Sequence, residues 1–302
     1  MNTRHVDNCI VCGKTSHHII CTEIREGLHN VLMCNNCKFI FLQDYKNVDY
    51  SASYGSYLHS SDWSENDKVI KRSESLERFN RVIVDLIIDK NNCNILEIGA
   101  SNGASIYGLD KLNGIAGIDC VELNKDDKLF LEQQFNAKVY SNISDVEKKY
   151  DVIYGHHVFE HFEKPADILL EIDKISSQEC KLYFSLPNFN DYYADTLNSE
   201  ERDKYLKFNY HLAHPFYYTL ESFSNFIEKN GGVWEIIQIS TVQDYSIVNY
   251  FNWYINGERS KNIESGTKVN KNMKKLNNAF IDMIEKMHKG NNISVVLEKK
   301  KF

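Results

Sequence analysis

Between Glu65 and Asp89 the apolar residues Val69, Leu76, Phe79, Val82, Ile83, Leu86 and Ile87 recur at intervals of three and four, predicting a helix with one buried face. From Asn94 onward the pattern changes to short apolar runs separated by helical stretches. Runs 94–98, 115–122, 137–140, 150–155 and 180–186 read as strands, with helices over 106–112, 125–135 and 165–176 between them. A helix over 219–230 ends at Gly231-Gly232 and leads into strand 233–240; the last strand is 293–298. Strands alternating with helices imply right-handed crossovers, so the expected fold is α/β, a doubly wound seven-stranded, mostly parallel sheet.

The flanking segments divide the chain further. Residues 1–44 hold two Cys-x-x-Cys pairs and the apolar run Phe39 to Leu42, as expected of a small metal-tied module. Residues 45–90 read as a tyrosine- and serine-rich linker followed by the first helix, and 91–302 as the main domain. About 241–290 is an insertion between the last two strands, with Met273, Leu276, Phe280, Met283, Ile284 and Met287 at helical spacing.

Composition narrows the function. At 302 residues, 42% hydrophobic and 25% charged, the chain can bury a proper core. A formal net charge of −7 offers no broad attraction to phosphate backbones, so no nucleic-acid partner is expected. No run approaches a membrane span and the first residues lack an apolar signal core, which makes the cytoplasm the expected location. Of eight cysteines, Cys9, Cys12, Cys34 and Cys37 have metal-ligand spacing; Cys21, Cys93, Cys120 and Cys180 read as buried thiols of a reducing compartment. Four thiolates in two close pairs suit a closed, structural Zn2+ site, with redox chemistry of one pair as the rival.

The candidate chemistry centres on Glu97-Ile98-Gly99-Ala100-Ser101-Asn102-Gly103. A small-residue turn after the first parallel strand lets backbone approach a ligand, and the next helix offers unpaired N–H groups. Glu122, ending the following strand, is placed to accept both hydrogens of a ribose diol. Two other readings share the pattern: a nicotinamide site, whose glycine spacing differs, and a serine-hydrolase elbow with Ser101 as nucleophile, which lacks the strands that normally precede it.

Ile95 to Gly103 resembles the first motif of class I S-adenosylmethionine-dependent methyltransferases, and Glu122 that family's ribose acid. Ser101 replaces the usual middle glycine. The resemblance implies a Rossmann-like methyltransferase fold, with S-adenosylmethionine held by Glu97, Gly99, Ser101, Gly103, Glu122, Asn142, Ile143 and His156. Tyr150 to Pro165 resembles the fourth-strand motif of the family, which implies His156 and His157 beside the sulfonium and Glu160-His161 on the substrate side, unless the latter pair merely caps the next helix. His214-Pro215-Phe216 resembles a substrate-closing feature, with His211 as the competing histidine.

The cysteine module resembles that of methyltransferases acting on nucleotide-linked sugars, and Gln243 to Trp253 resembles a subgroup that modifies sugars and surface glycans, where it would add a polar wall to the pocket. The sequence ends at Phe302 without the further domain of longer carbon-methylating relatives. The expected reaction is therefore O-methylation of a sugar, with His161, or else His214 or His157, as base and Glu160 as its partner. Carbon methylation of a keto-sugar nucleotide and a catalytically silent adenosylmethionine-binding protein are the alternatives.

Overall fold

The computed structural model describes residues 3–46, 65–88, 93–113, 118–259 and 271–301. The chain forms two compact units. The sheet unit comprises Val48–Ser185, Gly231–Gln238 and Val295–Phe302, and the cysteine unit Met1–Asn47, Leu186–Asn230 and Ile239–Ser294.

In the sheet unit, helix α1 (Glu65–Ile87) precedes strand β6 (Ile95–Ile98), and α2 (Ala104–Asn113), β7 (Ile118–Val121), α3 (Lys125–Phe135), β8 (Val139–Tyr140), β9 (Tyr150–His156), α4 (Pro165–Ile175) and β10 (Ser176–Pro187) follow. With β12 (Trp234–Val242) and β13 (Asn292–Lys299) they give a seven-stranded sheet of order β12-β13-β10-β9-β6-β7-β8. The pairs β10–β9, β9–β6, β6–β7 and β7–β8 are parallel. Helices on both faces bury such strands twice over, which is why Ile95, Leu96, Val152, Ile153, Leu182 and Phe184 are all essentially inaccessible. The fold is the expected α/β class with a mostly parallel sheet.

Local chemistry sets the element ends. Asn124 caps α3 by accepting from the N–H groups of Asp126 and Asp127, whose carboxylates also favour the positive end of the helix dipole. Pro165 opens α4 at a position that has no intrahelical N–H bond to lose. Asp151, at the start of β9, accepts from Asn94 N–H at 3.0 Å and ties that strand to the residue preceding β6.

The cysteine unit contains β1 (Thr3–His5) paired with β5 (Asp44–Lys46), and a four-stranded sheet of order β11-β4-β3-β2. Strands β2 (His17–Ile24) and β3 (Gly27–Cys34) form an antiparallel hairpin with two register shifts, β4 (Ile40–Leu42) lies on β3, and β11 (Phe216–Tyr217) joins from far along the chain. The aromatic stretch after Pro187 folds into α5 (Tyr192–Thr196) and α6 (Ser199–Asn209), capped by Asp191 and Asn198. Helix α7 (Leu220–Asn230) follows. Between β12 and β13 lie α8 (Ile247–Asn256) and α9 (Lys271–Lys286). Among the described residues no helix is long and apolar enough to cross a membrane.

Candidate functional site

Strand β6 ends in a turn that only unusual backbone conformations can build. Gly99, Ser101 and Gly103 have φ of +73°, +50° and +75°. A Cβ on Gly99 would sit 2.9 Å from Val158 Cγ2, and one on Gly103 2.5 Å from the Phe135 ring, so both positions exclude a side chain by space as well as by conformation. Parallel register sets Ile98 beside Val121, which brings Glu122 next to the turn. Ser101 N–H donates to Glu122 Oε2 at 2.7 Å and Asn124 N–H donates to Oε1 at 2.8 Å. Glu122 therefore braces the turn, and each of its oxygens keeps a further lone pair for a hydroxyl.

Beneath the turn lies a chain of buried polar groups. Glu97, 2% exposed, accepts from Tyr154 OH at 3.0 Å, and the Ser105 hydroxyl lies 3.2 Å from that phenol and 2.8 Å from Asn80 Oδ1. His156 Nε2 is 3.1 Å from Asn80 Oδ1 and Nδ1 3.0 Å from the Ser185 hydroxyl. Asn80 Nδ2 donates to Ser105 O, which fixes Oδ1 as the acceptor, so the imidazole carries its proton on Nε2 and accepts from Ser185. Burial pushes His156 down to about 3, with the charges of His157 and Arg72 adding to the effect, so the ring is neutral. Burial pushes Glu97 up to about 8, against the Tyr154 hydrogen bond and the charge of Arg72.

The other expected site residues lie as follows. Ile143 is buried at the start of a 3-10 turn over Ile143–Asp145; Asn142 is exposed, with its N–H and amide both held by the Asp145 carboxylate. Past β9, His157 has φ +52° and donates its N–H to Ser185 O at 2.8 Å. Its Nδ1 is 3.6 Å from a carboxylate oxygen of Glu160, whose side chain is 1% exposed. His161 follows in the same short turn, Phe159–His161, and is half-buried. His214 belongs to the cysteine unit, where it is buried with its ring centroid 3.7 Å from that of His211. Gln243 and Asp244 tie the end of β12 to the start of β13: Gln243 accepts from Asn291 N–H, and Asp244 from the Asn292 amide.

Sequence reading did not find Asn80, Ser105, Tyr154 and Ser185. A signal was present: Tyr154 and His156 alternate with period two in an otherwise apolar strand, on the face shared with Tyr150 and Val152. Asn102 lies in the glycine turn. Its side-chain oxygen is buried within the turn and has no hydrogen-bond partner among the described residues. That acceptor, the glycine cradle, Glu122 and the start of α2 suit a ligand carrying hydroxyl and ammonium donors, as S-adenosylmethionine does.

Residues 71–234 match the family model described as a methyltransferase domain. The chain belongs to that family. It is an S-adenosylmethionine-dependent methyltransferase. No curated protein matches it in sequence. Among solved structures it is similar to the plantazolicin methyltransferase BpumL in complex with SAH, at 19% identity over 83% of this chain and 92% of that one, TM-score 0.49. It is also similar to a SAM-dependent methyltransferase from Archaeoglobus fulgidus (19% identity, 76% and 94% covered, TM-score 0.48). Coclaurine N-methyltransferase bound to N-methylheliamine and SAH is 11% identical, with 83% of each chain covered and TM-score 0.49.

In the cysteine unit of this methyltransferase, the thiols of Cys9, Cys12, Cys34 and Cys37 lie within 4.8 Å of one another. Cys9 Sγ is 3.4 Å from Cys37 Sγ, and Cys12 Sγ 3.5 Å from Cys34 Sγ. Thiolates around a tetrahedral zinc at the usual bond length stand about 3.8 Å apart, so the cluster fits that ion with a small expansion. The two knuckles are built alike: Gly13 N–H donates to Cys9 O and Lys38 N–H to Cys34 O, with φ of +69° and +60°. Cys21 donates instead to Glu23 O at 2.9 Å.

Proposed function

We propose that this methyltransferase transfers the methyl group to a hydroxyl oxygen of a sugar, either nucleotide-linked or in a surface-glycan precursor. S-adenosylmethionine supplies a methyl carbon made electrophilic by its sulfonium. The turn at Glu97 to Gly103, Glu122, and Asn142 with Ile143 would hold that cofactor, which would supply the methyl group, and His161 would take the proton of the acceptor hydroxyl. The carrying observation is the His157-Glu160-His161 group directly after β9, in the same unit as the turn and at the strand edge where ligands bind in open α/β sheets. Within that group the buried Glu160 carboxylate stands 3.6 Å from Nδ1 of His157.

The sugar assignment is supported by the likeness of the cysteine module and of Gln243 to Trp253 to those of sugar-modifying enzymes. Zinc in the cysteine cluster is structural, since four thiolates leave no open position, and thiolate ligation suits the reducing cytoplasm. The test is transfer from labelled S-adenosylmethionine to a panel of nucleotide sugars and glycan precursors. Label on oxygen is expected, with His161→Ala lowering kcat about 10²- to 10⁴-fold while S-adenosylhomocysteine binds unchanged. Label on carbon would reassign the reaction. Cofactor binding without transfer to any acceptor would favour a silent binder.

A further inference from the structure

Helix α9 of the cysteine unit is anchored by one face only. Phe280 and Ile284 are buried in an aromatic cluster, where the Phe280 ring lies 5.8 Å from those of Tyr192 and Tyr250. Asn277 Oδ1 accepts from the Ile247 N–H and so holds α9 to the start of α8. Beside the buried face runs a second apolar row, Leu276, Met283 and Met287, spaced by seven and four residues and left 50%, 41% and 51% exposed. Single exposed apolar residues are ordinary on a protein surface, but three in one row make a strip along the helix. Helix α8 repeats the pattern with Phe251, Tyr254 and Ile255, all exposed, at i, i+3 and i+4.

The polar side of α9 is basic, although the chain as a whole carries a net charge of −7. Lys271, Lys275 and Lys286 form a row spaced by four and eleven residues, and Met283 and Lys286, at i and i+3, set that row against the apolar one. Cations on other helices find acids: Lys204 pairs with Glu200, Lys164 with Asp167 and Arg81 with Glu77. Lys271, Lys274, Lys275 and Lys286 have no ion pair among the described residues, and the first three crowd the start of the helix, where the positive end of its dipole repels them. Asp282 is the exposed acid of α9, while Glu285 is half-buried and accepts from the Gln243 N–H.

We propose that the α8–α9 pair docks on an anionic lipid bilayer, with α9 lying in the plane of the surface, its apolar row among the acyl chains and its lysines on the headgroup phosphates. A helix with a basic polar side and exposed Leu and Met beside it suits that boundary, and Phe251 and Tyr254 suit the headgroup level. The bilayer offers negative charge and an apolar layer together. A two-fold pairing of this face with itself would instead gather its unpaired lysines, which favours lipid over a second copy. Such docking does not depend on which acceptor is methylated.

The experiment is sedimentation of the full chain with vesicles of phosphatidylcholine alone and of phosphatidylcholine and phosphatidylglycerol in equal parts. Wild-type protein should pellet with the anionic vesicles, at least about tenfold more weakly with the neutral ones, and release as salt is raised. Replacing Lys271, Lys275 and Lys286 together by Gln should weaken binding to anionic vesicles about fivefold per lysine. Replacing Leu276, Met283 and Met287 together by Asn should weaken it at least about tenfold. All six side chains are exposed, so melting temperatures should stay at the wild-type value, and Lys229→Gln, on α7, should leave binding unchanged. No pelleting of wild-type protein with anionic vesicles, or binding that both α9 variants leave intact, would overturn the proposal. A wild-type dimer in light scattering that the Asn variant dissociates, without vesicle binding, would make the strip an interface between copies and overturn it equally.

Discussion

The glycine turn of the sheet unit and the two knuckles of the cysteine unit both hold backbone at positive φ, yet they depend on different atoms. In the turn the proposed cofactor surface is largely main chain: Gly99 and Gly103 leave no room for a Cβ, and Glu122 accepts one N–H at each carboxylate oxygen, from Ser101 and Asn124. In the knuckles the proposed metal ligands are four sulfur atoms, and the positive-φ residues Gly13 and Lys38 only shape the loop; a Cβ at Gly13 would meet nothing within 4 Å. Substitution should therefore act through shape in the first region and through loss of a ligand atom in the second.

The largest effect is expected in the cysteine unit. Freshly reduced protein should carry about one zinc per chain, and Cys34→Ser should lose it together with a share of the roughly 10 kcal/mol that such ions contribute to small folded modules. Metal analysis with thermal melting checks both; a metal-free wild type would remove zinc from the comparison.

A smaller effect, of order several kcal/mol, is expected from the acid beneath the turn. Glu97 has a folded-state pKa raised from 4.5 to about 8, so its contribution is fully present below 4.5 and is lost as pH rises through 8. Glu97→Gln keeps an acceptor for Tyr154 and removes the buried charge. The melting temperature of the variant should rise relative to wild type between pH 4.5 and 8 and run parallel above that. Parallel curves throughout would mean that Glu97 is ionised at no cost.

The smallest is Gly103→Ala, where a strained φ and contact with Phe135 and Leu131 should cost about 2–4 kcal/mol in stability and weaken S-adenosylhomocysteine binding at least tenfold. Gly13→Ala should cost only the conformational part, about 1 kcal/mol, and leave bound zinc unchanged. Equal costs at the two glycines, read by denaturant melts, would erase the distinction.

The same contrast separates what could be read in the sequence from what could not. The strands of the sheet unit announce themselves because burial on both faces demands unbroken apolar runs, and the cysteine cluster because its spacing has few other uses. The hairpin β2–β3 was not evident: in β2 exposed residues come in adjacent pairs, and the two strands twice shift register, so no alternation marks it. Helix α6 was missed because Tyr205, Leu206 and Phe208 crowd its second half, although its cap Asn198 was visible. His156 was placed by its nearness to a strand end, while the alternation of β9 turns its ring toward Asn80 and Ser185. Residues 45–46 of the expected linker form part of β5, and 47–64 lie outside the described residues.

Amide hydrogen exchange reads out whether residues 97–103 and Glu122 hold the cofactor as proposed. With saturating S-adenosylhomocysteine, exchange should slow in the peptides spanning 98–104 and 122–124, whose N–H groups line the turn. Measured binding with unchanged exchange in both peptides would place the cofactor elsewhere.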